Sequence, residues 1–214
     1  MTTIDQTVEQ SEVSDQRPHP GRRMTEEEYV EWSGDEWSEW VDGEVLIMSP
    51  VNLRHALLFT FLHPLVAGFA NQRNLGFVLT EPFQMRLGKQ RRRRSPDLLF
   101  ITTARQDALH PNHLEGPADL IVEIVSPDSL ARDWREKYLE YEAGGVREYW
   151  VIDPMAKRAE TYAINLEGRY QRILEADGKI SSVVLPGFYM RPQWLWQEPL
   201  PKFMEVLREM GVSA

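Results

Sequence analysis

The stretch DLIVEIVSPDSLARDWREKYLEYEAGGVREYWVID, Asp119–Asp153, decides the fold. Asp119–Ser126 is an apolar, β-branched run broken by one glutamate, Glu123, and ended by Pro127. Asp128 or Ser129 can cap a helix that reaches about Ala143 and stops at Gly144-Gly145. Val146–Asp153 then reads as a second strand, closed by Pro154. A strand–helix–strand of this length predicts a crossover joining two parallel strands. Such strands are buried on both faces and tolerate a carboxylate poorly, so Glu123 needs a partner. It shares a strand face with Ile121 and Val125. On the following helix Asp133, Lys137 and Tyr141 lie four apart and therefore on one face. If that face packs over Glu123, a carboxylate meets an ammonium. Residue chemistry alone leaves open whether this is a structural ion pair or part of a reactive site.

Outward from this unit the chain is an ordinary globular sequence. It has 214 residues, 42% hydrophobic and 27% charged, enough for one domain with a core. No apolar run approaches the roughly 18–20 residues of a membrane helix. The N-terminus lacks a basic-then-apolar signal pattern. No cysteine is present, which excludes disulfides, zinc–thiolate sites and a cysteine nucleophile. A cytoplasmic protein without membrane contact is the resulting expectation. The net charge of −9 argues against indiscriminate adhesion to nucleic acid, but not against a local basic groove or a metal that offsets site carboxylates.

Residues 1–23 are rich in Thr, Gln, Ser, Glu and Pro and predict a disordered tail. Residues 24–198 form the expected domain, and residues 199–214 a C-terminal helical tail over Pro201–Met210. Thr25-Glu26-Glu27-Glu28 is a capping-box pattern opening a helix through about Trp32. Asp42-Gly43, within Val41-Asp42-Gly43-Glu44 between Glu36–Trp40 and Val45–Met48, predicts a hairpin. Asn52–Asn71 carries apolar residues at helical spacing, with Pro64 expected to kink or split it. Gly76–Arg86 and Ser95–Ile101 read as strands, with Lys89–Arg94 as an exposed hairpin tip between them. Thr102–Pro117 reads as loop. Ala159–Ile164 and Arg169–Leu174 form a hairpin around Asn165–Gly168, and Ile180–Leu185 adds a strand. The order predicts an α/β (α+β) fold: a mixed central sheet flanked by helices, with N-terminal and C-terminal β-hairpins.

Ser95-Pro96-Asp97 opens the strand before the one that carries Glu123. Two carboxylates converging from neighbouring strands can hold a hard divalent cation through oxygen. Mg²⁺ or Mn²⁺ held in this way suits phosphodiester hydrolysis, and a nearby lysine completes the set.

Pro96-Asp97 followed by Glu123-Ile124-Val125 resembles the PD-(D/E)XK nuclease superfamily. More narrowly, the chain is similar to the Uma-two family of endonucleases. The stretches that carry this likeness are MTEEEY at Met24–Tyr29, EWVDGEVLIMSP at Glu39–Pro50, Arg54-His55 and SPDLLFI at Ser95–Ile101. They continue through DLIVEIVSPDS at Asp119–Ser129, RDWREKYLEYEAGGVREYWVIDP at Arg132–Pro154 and LPGF at Leu185–Phe188. Together they span about Met24 to Trp196. The resemblance implies a restriction-endonuclease-like fold and metal-dependent cleavage of DNA. In the superfamily, the place of Val125 is held by lysine. The resemblance implies that this lysine has moved to the following helix, as Lys137.

The expected site is then Asp97 and Glu123 as metal ligands and Lys137 assisting the water, with His55 and Glu39 in support and Glu44 as a weaker candidate. Arg91, Arg92, Arg93 and Arg94 are candidates to grip DNA phosphates, or are a solvated turn. Trp32, Trp37 and Trp40 are assigned to core and a homodimer surface, and Tyr149-Trp150 to core. Two rival readings stay open: a non-catalytic nucleic-acid-binding or regulatory protein on the same fold, and a hydrolase of another phosphate ester.

Overall fold

The computed structural model describes residues 23–33, 37–126, 129 and 132–212. Apart from Arg23, the expected tail lies outside them, as do Glu36 and the proposed cap Asp128. The local signals at the N-terminus act as their chemistry dictates. Thr25 caps α1 (Glu26–Trp32), its hydroxyl accepting from the Glu28 amide while the Glu28 carboxylate accepts from the Thr25 amide. Asp42 and Gly43 both take positive φ, 52° and 91°, the conformation a two-residue hairpin demands. They join β1 (Ser38–Val41) to β2 (Glu44–Ile47).

Helix α2 (Leu53–Gln72) runs through Pro64 without being split, contrary to one of the two outcomes expected there. It is 20 residues long and contains an 18-residue stretch of mean hydropathy 1.3, the length and apolarity of a membrane span, which corrects the reading that no such run exists. Its apolar side is instead occupied by core contacts, with Leu58, Phe61, Leu62, Leu65, Val66 and Phe69 buried against the central sheet.

That sheet contains β3 (Gly76–Thr80), β6 (Leu98–Thr102), β8 (Leu120–Ile124), β9 (Glu148–Asp153), β10 (Arg158–Ile164) and β11 (Tyr170–Arg172). Their order is β11-β10-β9-β8-β6-β3. Among the described residues of this sheet only β8 and β9 run parallel, joined by α3 (Lys137–Gly144) as the crossover pattern requires. Gly145 ends α3 in the left-handed region at φ 85°, where a Cβ would be strained.

A second sheet adds β4 (Gln84–Leu87), β5 (Arg92–Arg94) and β7 (His113–Glu115) to the first hairpin in the order β2-β1-β5-β4-β7. This corrects three sequence expectations. Gly76–Arg86 is two strands in two sheets, broken at Glu81-Pro82, because proline supplies no N–H to a ladder. The arginine run is mostly strand rather than hairpin tip, and part of Thr102–Pro117 is strand β7.

Alternation along the central strands builds a core on each face. Leu98, Phe100, Leu120, Val122, Trp150 and Ile152 face α2 and the C-terminal segment. Leu99, Ile101, Ile121, Val125, Tyr149 and Val151 face α3 and the second sheet. Ile180–Ser181 pairs with Tyr189–Met190 in a two-stranded ladder, shorter than the strand expected over Ile180–Leu185. The C-terminal helix α4 (Phe203–Glu209) buries Val206 and Leu207 in the α2 core, with Met210 and Val212 beside them.

Candidate active site

Strand register brings Asp97 and Glu123 together. Leu98 pairs with Val122 in an antiparallel ladder, so the next step out sets Asp97 beside Glu123. Both are odd-numbered positions on the face that α3 covers. The Asp97 Oδ2 accepts the Ile124 amide at 2.5 Å, which locks the carboxylate against the end of β8. Its Oδ1 lies 3.1 Å from His55 Nε2. Asn52 caps α2 by accepting the His55 amide at 3.0 Å and so fixes His55 in the helix's first turn. The Asp97 contact raises the His55 pKa, although burial opposes it.

The helix supplies the ammonium. Lys137 Nζ stands 2.8 Å from Glu123 Oε1, and Tyr141 donates to the same oxygen at 2.7 Å. Lys137 Nζ is also 3.1 Å from Asp133 Oδ1, a charge contact without hydrogen-bond alignment. Ser129 donates to the other Asp133 oxygen, and Tyr149 donates to the Asp133 carbonyl at 2.8 Å. Lys137 and Glu123 are both buried, 2% and 3% exposed. Burial works against the ammonium, but Asp133 and Glu123 outweigh it and hold its pKa well above the ordinary lysine value. Burial pushes Glu123 upward; Lys137 opposes that shift, while Asp133 and Asp97 add to it.

These side chains line one cleft, whose walls also carry Trp37, Met48, Ser95, Ser126, Arg132 and Glu81. Sequence reading missed Glu81, because it treated Gly76–Arg86 as a continuous strand; the Pro82 break was the available signal. Oxygen or nitrogen atoms of His55, Glu81 and Asp97 lie within 4.8 Å of one another. The Glu81 carboxylate makes no hydrogen bond or ion pair among the described residues, and burial with Asp97 nearby pushes it up to about 7. Carboxylates this crowded call for added positive charge. The donor set, carboxylate oxygens with one imidazole, fits a hard divalent cation.

A second property marks the same cleft. Among the described residues, the buried side-chain atoms without a protein hydrogen-bond partner are Trp37 Nε1, His55 Nδ1, Ser95 Oγ, Arg132 Nε and Asp133 Oδ1. All belong to residues lining this cleft. Unsatisfied buried groups are rare in folded proteins, and their gathering at one place marks a site.

The structure thus brings Asp97, Glu123, Lys137 and His55 together in the cleft and leaves the other candidates outside its lining, although Glu39 lies near enough to feel the Lys137 charge. Glu39 does not line the cleft: its carboxylate accepts from Arg94 Nη1 at 2.7 Å and from the Ser95 amide at 3.0 Å. Lys137 and Arg94 hold its pKa down at about 2 against burial. Glu44 is exposed on β2. The arginine run is corrected most strongly, since the partners it needs come from distant parts of the chain. Arg94 is wholly buried between Glu39 and Glu140, Arg93 pairs with Glu26, and Arg92 pairs with Glu140 and Asp42. Arg91 is the most exposed of the four, 64% at its side chain, and its Nε lies 3.7 Å from Asp42 Oδ1. Trp40 is core as expected, with its indole N–H donating to the Met24 carbonyl, whereas Trp37 belongs to the cleft.

Replacing Arg94 with methionine is expected to cost about 3–5 kcal/mol, because it strands Glu39 as a buried charge. Chemical denaturation checks this. Glu39 is held below its ordinary pKa, so the pair's contribution is complete above the usual carboxylate range and is lost as pH falls toward 2. The parent–variant difference should therefore shrink in acid.

A mixed sheet with one parallel pair, a crossover helix and two carboxylates at its strand ends defines the restriction-endonuclease-like class. Among solved structures the chain is similar to one described as "a putative nuclease belonging to DUF820" from Anabaena variabilis ATCC 29413. The identity is 16%, over 74% of this chain and 89% of that one, with a TM-score of 0.63, a likeness of fold. The family model "Uma2: Putative restriction endonuclease" matches residues 26–193, and the chain belongs to that family. No curated protein matches the sequence.

Proposed function

We propose that this protein is a divalent-metal-dependent endonuclease that hydrolyses DNA phosphodiester bonds. Its family supports nuclease function in general. The observation that carries the finer reading is the seating of Lys137 2.8 Å from Glu123 beside Asp97, from a helix rather than from the strand. Asp97 and Glu123, with Glu81 and His55 next to Asp97, are the residues that would hold Mg²⁺ or Mn²⁺. Bound there, the ion would polarise the phosphate and lower the pKa of a water. The chain's own residues do the remainder. The Ile124 amide and His55 keep both Asp97 oxygens oriented. Tyr141 and Lys137 orient Glu123. Lys137, held protonated by two carboxylates, acts as a fixed positive charge for the developing negative charge rather than as a base.

The test is cleavage of supercoiled plasmid with Mg²⁺, with Mn²⁺ and with chelator. Nicking or linearisation that needs metal is the expected result. Absence of cleavage with both metals, with no metal binding by calorimetry, sinks the reading.

A further inference from the structure

The unpartnered atoms of the cleft divide by chemistry. A cation can satisfy a carboxylate oxygen or an imidazole nitrogen, but it cannot satisfy an N–H. Trp37 Nε1 and Arg132 Nε are donors only, and neither has a protein acceptor among the described residues. Arg132 is the telling case. The cleft is lined by Glu81, Asp97, Glu123 and Asp133, yet Arg132 forms no ion pair with any of them. The other cationic side chains of the lining are engaged, Lys137 with Glu123 and Asp133, and His55 with Asp97.

The backbone explains how Arg132 comes to share the cleft with Lys137. Arg132–Glu136 forms a π-helical turn that leads directly into α3. In an α-helix, residues five apart point about 140° away from each other. A π turn closes over five residues and so stacks position 132 towards the face of position 137. Single π turns of this kind recur at functional sites.

We infer that Arg132 and Trp37 form the phosphate-binding wall of the cleft, their N–H groups donating to unesterified oxygens of a DNA backbone phosphate held against the carboxylates. This rests on the nuclease reading and deepens it. Anionic oxygen is the acceptor that suits both donors. The guanidinium is planar and suited to phosphate, while the indole adds a neutral donor on an apolar ring. Contacts of this kind fix the strand's position without reading sequence.

The experiment measures binding of a fluorescent duplex by anisotropy, across a range of salt, with Ca²⁺ present as an oxygen-seeking ion. Arg132→Gln is expected to bind about tenfold more weakly, the loss of one charge-assisted hydrogen bond. Its log–log salt slope should flatten by about 0.9, the signature of one lost phosphate contact. Trp37→Phe should also weaken binding but keep the parental slope, since it removes a neutral donor. Arg132→Lys should restore most of the slope. Neither side chain has a protein hydrogen-bond partner at the atoms concerned, so melting temperatures should stay near the parental value. A merely structural role would move melting and leave the slope unchanged. If the parent binds duplex and Arg132→Gln matches it in affinity and slope, the assignment of Arg132 is wrong while the nuclease reading stands. If the parent does not bind duplex at all, the nuclease reading fails and takes this wall with it.

Discussion

Changing Asp97 to asparagine, or Glu123 to glutamine, is expected to reduce metal-dependent cleavage by on the order of a thousandfold or more. A metal ligand supplies several kcal/mol of transition-state stabilisation, and each 1.36 kcal/mol is about tenfold in rate. The amide is the right replacement, because the structure gives Asp97 a second task. It accepts the Ile124 amide, and alanine would leave that buried N–H unpaired. Asparagine keeps the acceptor and the shape, so the melting temperature without metal should change little. The added stabilisation that Mg²⁺ gives the parent should vanish in both variants, because only the native state with a complete site binds the ion. Melting curves with and without Mg²⁺, beside plasmid cleavage, check this. Variants that cleave at the parental rate, or that keep the full metal-induced rise, would remove Asp97 and Glu123 from the site.

The part of this molecule legible in the sequence is the part governed by local rules. Thr25 and Glu28 lie three apart and cap α1 reciprocally; Asp42-Gly43 turns a hairpin; Gly144-Gly145 ends a helix. The parallel β8–β9 pair follows from a helix too long for a hairpin turn and too short for another domain. Even the meeting of Glu123 and Lys137 was legible, since the strand period of two and the helix period near four fix which side chains face each other. The rest depended on contacts distant in sequence. Arg92, Arg93 and Arg94 look solvated because nothing beside them is acidic, yet Glu26, Glu39 and Glu140 reach them from three separate elements. Glu81 joins the cleft because one strand reading was really two, and the sheets diverge at Pro82. Arg132 could not be placed by an α-helical period at all, because the turn that carries it is π-helical. Residue chemistry and the family likeness both pointed to Asp97 and Glu123 without this detail; the geometry adds what surrounds them.

Lys137 is the residue on which nuclease and structural readings divide most sharply. Its removal has two separable consequences. Lys137→Met leaves Glu123 and Asp133 buried without their cation, which is expected to cost about 3–5 kcal/mol, offset in part as Glu123, already pushed upward by burial, takes a proton. The second consequence is kinetic. A fixed charge aimed at the reacting phosphate is worth about 10²–10³ in rate, so single-turnover cleavage should fall by that factor while metal-induced stabilisation persists. The two are separated by returning the charge from the strand. Val125 lies on the Glu123 face, fully buried beside Tyr141 and Tyr149, and occupies the position where a lysine would otherwise stand. The pair Val125→Lys with Lys137→Met should recover part of the rate. Recovery stays partial, because a longer side chain overpacks a core position by about 1–3 kcal/mol. Val125→Lys alone should lose stability with no gain in rate, since two ammonium groups would compete for Glu123. Single-turnover kinetics and denaturation on all four proteins decide the matter. A methionine variant that is less stable yet cleaves at the parental rate makes Lys137 a structural partner of Glu123. A double variant that regains rate but not stability shows that the cleft uses the charge itself, whichever element delivers it.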